Sequence, residues 1–430
     1  MRTHRRSFLK HSVMVAGSIG LASMSGTAMA GMPVDIPDHS PVLPPVPPTS
    51  EEDFWNWIQQ SFTASPNIIN LNNGGVSPQP KVVQDTFEHF NRLANQGPAY
   101  YMWQVLDEGR ENVRRDLADL AGCSAENIAI QRNTSEALET VIFGLRLEKG
   151  DEVVLTRQDY PNMINAWKQR ERRDGIVLKW ISLPQPIEDD DAVVKAYTDA
   201  FTRKTKVIEI MHMINMNGQI LPAAKLAKAA HERGAEVILD GAHTFAHIQF
   251  NIPDLDCDYF GTSLHKWLYS PFGTGFLYVK KEKIRNLWPH CAPGDPESDD
   301  IRKFEALGTR SFPAEMAIGK ALEFHHMIGS ERKEHRLRYL KDYWATRIKD
   351  LPGIRMFTSF KPEYACGLGT FAIEGMTPAE VSKILFNKYR IFTVPIEWEN
   401  INGVRVTPNV YTTTRELDYF VEAVTAIARG

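Results

Sequence analysis

Cysteine is scarce in this 430-residue chain: Cys123, Cys257, Cys291 and Cys366 lie far apart and form no C-x-x-C pair. That spacing argues against a zinc site or a redox motif, so no metal is expected, and nothing in it indicates a disulfide. Charge of one sign is lacking too. Lys and Arg number 49 against 53 Asp and Glu, a net charge of −4. Neither nucleic acid nor an anionic membrane surface is therefore expected as a partner. No G-x-G-x-x-G or Walker pattern stands at the first strand turn, so a nucleotide-binding α/β protein ranks last among the readings. Internal repeats are absent, as is any low-complexity segment after Ser50. The apolar run near the N-terminus, from about Val13 to Ala22, is short and broken by glycine and serine. That weakens the case for a stable membrane anchor.

What remains is an ordinary globular composition, 43% hydrophobic and 24% charged, in a chain too long for one small core. Two packed lobes are expected. Ahead of them, Arg5-Arg6-Ser7-Phe8-Leu9-Lys10 precedes the apolar run, and Ala28-Met29-Ala30 follows it. This is the pattern of a twin-arginine signal over residues 1–30 with cleavage near Ala30. The expected partner is the twin-arginine translocase, and the expected location is the periplasm. Residues 31–50 are proline-dense (PVLPPVPPTS) and read as an extended, semi-rigid arm.

A helix is expected over 51–61, then a short strand from Ile68 that runs into the turn Asn72-Asn73-Gly74-Gly75. Residues 80–121 look mostly helical with a break near Gly97-Pro98, and Arg110, Arg114 and Arg115 within them read as a solvated face. Ile128-Ala129-Ile130 is a strand followed at once by Asn133-Thr134-Ser135-Glu136, which has the spacing of a capping box. Free amides and the helix dipole make such a junction a ready phosphate site, though an ordinary cap accounts for the sequence equally well. Strands at 152–156, 177–181, 207–211 and 237–240 then alternate with helices at 163–173, 190–201 and 222–233. That alternation, with strands apolar enough to be covered on both faces, predicts a mainly parallel sheet. Ligands then belong at the carboxyl ends of the strands, where Asn133, Tyr160 and Asp240 fall. A helical stretch from about Ala314 to Asp350 leads into a second lobe. It is strand-like at 367–373 and 404–407 and helical at 378–389 and 415–428.

The organising stretch is Val237 to Val279. The apolar strand Val237-Ile238-Leu239 ends in Asp240, and Lys266 follows in Ser263-Leu264-His265-Lys266, ahead of Gly273 and Gly275. A buried strand that delivers a carboxylate, then a lysine turn, is what pyridoxal phosphate (PLP) requires. The amine forms a Schiff base, and the carboxylate keeps the pyridine nitrogen protonated. Taken singly, Asp240 reads as a helix cap and Lys266 as a surface lysine; the two together with the phosphate-type junction reverse that preference.

The sequence resembles the class V aminotransferases, the PLP fold-type I group. The motifs are Leu71-Asn72-Asn73-Gly74, Arg132-Asn133-Thr134-Ser135-Glu136-Ala137, Asp240-Gly241-Ala242-His243, Ser263-x-His265-Lys266, Gly273-x-Gly275-Phe276-Leu277, Glu305-Ala306-Leu307-Gly308-Thr309 and Val404-Arg405-Val406. The resemblance runs from about Leu71 to the C-terminus and is nearest to the isopenicillin N epimerase-like branch. It implies an α/β fold: a large domain over 51–313 with a mainly parallel, seven-stranded-type sheet flanked by helices, then a smaller α+β domain over 314–430. It further implies that Lys266 binds PLP covalently, that Asp240 pairs with the pyridine nitrogen, and that His243 meets the ring oxygen. Thr134, Ser135, Ser263 and His265 would take the phosphate, and Tyr160 would stack on the ring. Thr309 would reach the phosphate of a neighbouring subunit, which makes a homodimer expected. Arg405 would clamp a substrate α-carboxylate, and Asn73 would contact substrate.

The function expected from the resemblance is a periplasmic PLP-dependent transferase or isomerase working at the α-amino carbon of an amino acid or a peptide-linked, for example glutamyl, substrate. Cα deprotonation is common to transamination and epimerisation. Desulfurases of the family use a cysteine on a mobile loop shortly before the carboxylate-binding arginine; residues 391–402 contain none. Two alternatives stay open. One is an enzyme modifying the glutamyl side group of a pyoverdine-type siderophore; the other is an inactive binding or maturation protein on the same fold.

Overall fold

The computed structural model describes residues 51–430. The signal expected over 1–30 and the arm expected over 31–50 lie outside the described residues. The first strand, β1 (Ile69–Asn70), stands apart from the central sheet. That sheet has seven strands: β2 (Ile128–Gln131), β3 (Glu152–Thr156), β4 (Val177–Ile181), β5 (Thr205–Met211), β6 (Glu236–Asp240), β7 (Tyr259–Ser263) and β8 (Gly275–Val279). Their spatial order is β2-β8-β7-β6-β5-β3-β4. Strands β3 to β7 run parallel and β8 runs antiparallel to both β2 and β7. Helices cover the sheet, and strands β2, β3, β7 and β8 are buried at every residue. This is why their sequences are apolar runs with little alternation.

The reversal of β8 has a simple cause. A parallel crossover needs a dozen or more residues and usually a helix. The segment between Ser263 and Gly275 is shorter than that, so the chain can only turn back. It makes that turn through the four-residue helix Leu264–Trp267, and Lys266 sits in it. Position 275 has to be glycine: a Cβ there would stand 2.5 Å from the Thr262 carbonyl oxygen and 2.7 Å from the Asn133 Cα. That close approach packs the start of β8 beneath the Asn133 junction.

The second lobe contains an antiparallel sheet formed by β9 (Ile354–Met356), β10 (Gly369–Ile373), β12 (Val394–Trp398) and β13 (Ile401–Val406), in the order β12-β13-β10-β9. Strand β11 (Ile391–Phe392) instead pairs in parallel with β1. The expected single long helix is two, Phe312–Ile328 and Ser330–Ile348, broken at Gly329 with φ of 88°. A left-handed residue ends a helix at little cost when it is glycine.

Arg110 and Arg114 are not a solvated face. Both are buried, and only Arg115 is exposed. Arg110 meets Glu305 at 2.6 Å and Arg114 meets the same carboxylate at 2.5 Å. Glu305 also accepts from the Ile130 amide at 2.6 Å, while Arg114 donates to the Ile128 carbonyl at 2.6 Å. Strand β2 is a sheet edge, so its outer backbone groups lack a neighbouring strand, and these side chains satisfy them. Burial alone would raise the Glu305 pKa, but Arg114 and Arg110 hold it below the usual carboxylate range. The expected reciprocal capping box is also only half formed. Asn133 Oδ1 accepts from the Glu136 amide at 2.9 Å, but Glu136 turns to the Arg132 amide instead.

Removing Glu305 takes from Arg110 and Arg114 the carboxylate they share, and although Glu315, Asp107 and Glu111 remain beside them, the lost charged hydrogen bonds cost about 2 kcal/mol. Glu305→Gln should therefore lower the unfolding free energy at neutral pH by that amount, read as a lower urea midpoint at unchanged m. A folded-state pKa held low adds stability above the unfolded pKa that is lost as pH falls through the folded value. The gap between variant and wild type should accordingly narrow only in acid. A midpoint equal to wild type at neutral pH would show that the network is dispensable.

Candidate active site

The candidate site lies where the parallel strands end. Asp240, the last residue of β6, is 4% exposed, and its carboxylate accepts from the Ala242 amide at 2.9 Å. Burial raises its pKa, while the Ala242 amide and the Lys266 ammonium pull it back. Lys266 is half-buried on the turn between β7 and β8. Burial pushes its amine down to about 8, with Asp240 opposing and Arg405 assisting. Much of this lysine is therefore neutral near pH 8, the state a nucleophilic amine needs. Its Nζ lies 3.0 Å from His243 Nε2. His243 is buried and held neutral, first by desolvation and then by the nearby Lys266 and Arg405 charges.

At the junction after β2, the Thr134 amide donates to Ser263 Oγ at 2.9 Å, and the two hydroxyls lie 2.8 Å apart. The helix Thr134–Gly144 thus begins directly over the end of β7. Ser135 belongs to its first turn and accepts from Asn162 Nδ2 at 3.4 Å. His265 is tied through Nδ1 to the Thr274 carbonyl at 3.1 Å, and burial lowers its pKa to about 4. A helix N-terminus with two hydroxyls beside it favours an anion.

Arg405 comes from the second lobe, on β13, and is 6% exposed. Its Nη1 donates to the Asn215 carbonyl and its Nη2 to Asn72 Oδ1, both at 2.8 Å. Burial lowers its pKa to about 10, with the Tyr160 hydroxyl opposing. It stays a cation at neutral pH. Among the described residues no carboxylate lies within ion-pair distance of it, and its Nε is buried without a partner. His243 Nδ1, Asn215 Oδ1 and Thr407 Oγ1 are buried and unpartnered as well. These atoms cluster around the Asn72–Gly75 turn: a Cβ on Gly74 would stand 3.1 Å from Thr407 and 3.4 Å from His243. Unsatisfied buried polar groups in a native fold need an explanation, and a polar ligand that carries both an anionic group for Arg405 and a donor for Asn215 Oδ1 supplies one.

Lys266, Asp240, His243 and Arg405 are thus brought into one electrostatic neighbourhood, and Thr134, Ser263 and Ser135 into one junction. Tyr160 sits 39% exposed at the start of the helix Pro161–Asp174, close enough to act on the Arg405 charge. Two expected residues fall elsewhere. Thr309 is exposed and is not joined to these residues within one chain. The Asn73 side chain is fully engaged: it donates to the Asn70 and Thr407 carbonyls and accepts from Asn70 Nδ2 and the Tyr411 hydroxyl. A substrate contact through it would break one of these bonds. The asparagine that touches the guanidinium is its neighbour, Asn72. Asn215 also escaped the sequence reading, although its place just past β5 was a usable signal. So did Asp159, which is buried near Asp240 and whose pKa is raised to about 7, mainly by burial. The fit to PLP rests on this donor set: a lysine, an aspartate, a phosphate-type helix start and an unpaired arginine.

Residues 69–393 match the aminotransferase class-V family. The isopenicillin N epimerase of Streptomyces clavuligerus is 27% identical over 390 residues, covering 87% of this chain and 98% of that protein. A probable cysteine desulfurase of Halalkalibacterium halodurans is 27% identical over 347 residues, covering 76% of this chain and 83% of the other. Among solved structures, the cysteine desulfurase of Thermococcus onnurineus superposes with a TM-score of 0.75 at 21% identity, over 87% of this chain and 98% of its own. A cystine C-S lyase complexed with cysteine persulfide superposes with a TM-score of 0.76 at 20% identity, over 84% and 98%. At such identities the superpositions establish the fold, PLP fold-type I, and no more.

Borohydride reduction after incubation with PLP should fix the cofactor to the wild-type chain, with a yield that rises with pH through about 8 as Lys266 loses its proton. Lys266→Ala should stay folded by circular dichroism and retain no covalent cofactor. Equal labelling of that variant would move the attachment point to another lysine.

Proposed function

The chain belongs to the aminotransferase class-V family, and we propose that it is a PLP-dependent enzyme acting at the α-amino carbon of an amino acid or of a peptide-linked, glutamyl-type group. The observation that supports this most directly is Arg405: a buried cation with an unused Nε, no acidic partner among the described residues, and a place beside Lys266. A guanidinium fork so placed matches a carboxylate. A glutamyl group attached through its side chain keeps both a free α-amine and a free α-carboxylate, so it presents the same two handles as a free amino acid.

PLP, when bound, supplies an electrophilic aldehyde and an electron-withdrawing ring. The protein's own groups then divide the work. Asp240 keeps a proton on the ring nitrogen. Thr134, Ser135, Ser263 and His265 bind the phosphate at the helix start. Arg405 fixes the substrate carboxylate and thereby the direction of the bond from Cα to hydrogen. The Lys266 amine, its proton affinity already lowered by burial, takes the proton from Cα and returns it. Return by Lys266 to the same face of Cα would only restore the substrate; delivery to the opposite face, which needs a second acid, would give epimerisation, and a proton not returned to Cα would leave the way open to transamination.

The desulfurase relatives invite a comparison at one point. Residues 391–402 hold no cysteine, and Cys366, next to the second-lobe sheet, is buried with its thiol pushed up to about 12. A sulfur-accepting cysteine needs exposure and a lowered pKa, so the proposal stays with amine chemistry. It includes export by the twin-arginine route, supported by the Arg5-Arg6 pattern, and a homodimer, supported by the exposure of Thr309. A siderophore bearing a glutamyl side group is the narrower substrate reading, and it rests on the family and the export pattern.

The purified chain should be yellow with PLP, and its absorption should shift only with amines that carry a free α-carboxylate. Arg405→Ala should raise KM for such a substrate by about two orders of magnitude with a smaller change in kcat. The wild type should lose a similar factor on the matching α-amide. An unchanged KM would remove Arg405 from the substrate site. A chain that takes no PLP at all would leave a binding or maturation role on this fold.

A further inference from the structure

Lys333 is the most anomalous cation in the described residues. It lies on the helix Ser330–Ile348 and is 0% exposed. Among those residues no carboxylate is within ion-pair distance of it. Its three contacts are all neutral. The amine donates to the Trp267 carbonyl, stands 3.3 Å from His325 Nδ1, and lies 4.0 Å from the centre of the Tyr269 ring. Burial without a counter-ion pushes its pKa well below the ordinary lysine value, so the amine carries a cost either as a desolvated charge or as a proton given up. An apolar side chain of similar length would spare the fold that cost, so the amine's presence calls for a reason beyond packing.

The partners suggest the reason. Trp267 follows Lys266 directly and ends the four-residue helix that presents it. That helix lacks the glycine cap that commonly takes up the last carbonyls. Its other exits are held individually: the His265 carbonyl by the Ser77 amide at 3.0 Å, and the Leu264 carbonyl by the Ser270 amide at 3.2 Å. Lys333 takes the Trp267 carbonyl. Two residues on, Tyr269 holds a left-handed φ of 63°, a conformation that a bulky residue adopts only under constraint. Lys333 lies over its ring, and Asn409 accepts from its hydroxyl at 2.7 Å. The Trp267 indole stacks on His247 at 3.6 Å, and His247 Nδ1 binds the carbonyl of His243, the same residue that meets the Lys266 amine.

We propose that Lys333 is a positioning residue for Lys266: by fixing the Trp267 carbonyl and the strained turn after it, it sets where the reactive amine enters the site. The inference rests on the PLP reading of Lys266. It separates from a plain structural role in its readouts, because a merely structural residue would not move the capture rate or the pH midpoint of a chain that still folds.

The test uses the full mature chain with Lys333→Met, which keeps length and removes the amine. The variant should stay folded, with a melting temperature near that of wild type. Borohydride-trapped PLP capture should slow about 10- to 100-fold, as displacement of a reacting group by an ångström does. The pH midpoint of the bound cofactor's absorption should move by about one unit, because Asp240, His243 and Arg405, which surround the amine from other elements, stay in place while the amine moves. A folded Lys333→Met chain with wild-type capture rate and midpoint would overturn the proposal. So would loss of folding in both this variant and Lys333→Gln, since Lys333 would then be a structural residue. If only the methionine variant fails to fold, the glutamine variant is measured against the same outcomes. Should wild type itself capture no PLP, the cofactor reading fails separately. Positioning is then read by competitive acetylation of Lys266 in the chain without cofactor, where an altered pH midpoint in Lys333→Met supports it and an unchanged one refutes it.

Discussion

A carboxylate and two cations share the dry end of one sheet, and none of the three is paired off in a tight salt bridge. Asp240 has a peptide amide, Lys266 has a neutral imidazole, and Arg405 has a carbonyl and an amide oxygen. In a low-dielectric pocket each such charge is costly alone. They are tolerated because β6, the lysine turn and β13 are each held by backbone pairing of their own. The site therefore depends on the scaffold more than on its own contacts. Its unspent hydrogen-bonding capacity, at Arg405 Nε, His243 Nδ1 and Asn215 Oδ1, is what remains for a ligand.

That scaffold is assembled from widely separated parts of the chain. The short return between β7 and β8 exposes Lys266, and a glycine at 275 lets the phosphate-type junction close over it. The edge of β2 is completed by arginines from a helix and a glutamate far along the chain, and the same edge leads straight into Asn133 and Thr134. The second lobe adds Arg405, and the Asn72–Gly75 turn locks it. Lys333 extends the same logic outward, from a helix of the second lobe to the backbone beside the reactive lysine.

Much of this was legible in the residues. The period of apolar strands and helices located β3, β4 and β6 within a residue or two, because strands covered on both faces have nothing else to be. Asp240 and Lys266 were found because their chemistry is recognisable at that spacing. What could not be read was partnership across distance. Arg110 and Arg114 looked like any exposed basic helix face, since Glu305 is 195 and 191 residues away from them. Asn72 and Asn73 are adjacent and identical, so only the backbone register against β11 and Thr407 decides which side chain turns to the guanidinium. The break at Gly329 was missed because both flanking segments are equally good helices.

The contact between the Asn72–Gly75 turn and Thr407 has a consequence for how the protein comes into being. Asn73 and the carbonyl of Thr407 that it binds are 334 residues apart in the chain. The ribosome therefore finishes the lysine, the aspartate and the phosphate-type junction before it supplies the strand that carries Arg405. The completed pocket thus first exists only when the segment after β13 has come back to the Asn72–Gly75 turn.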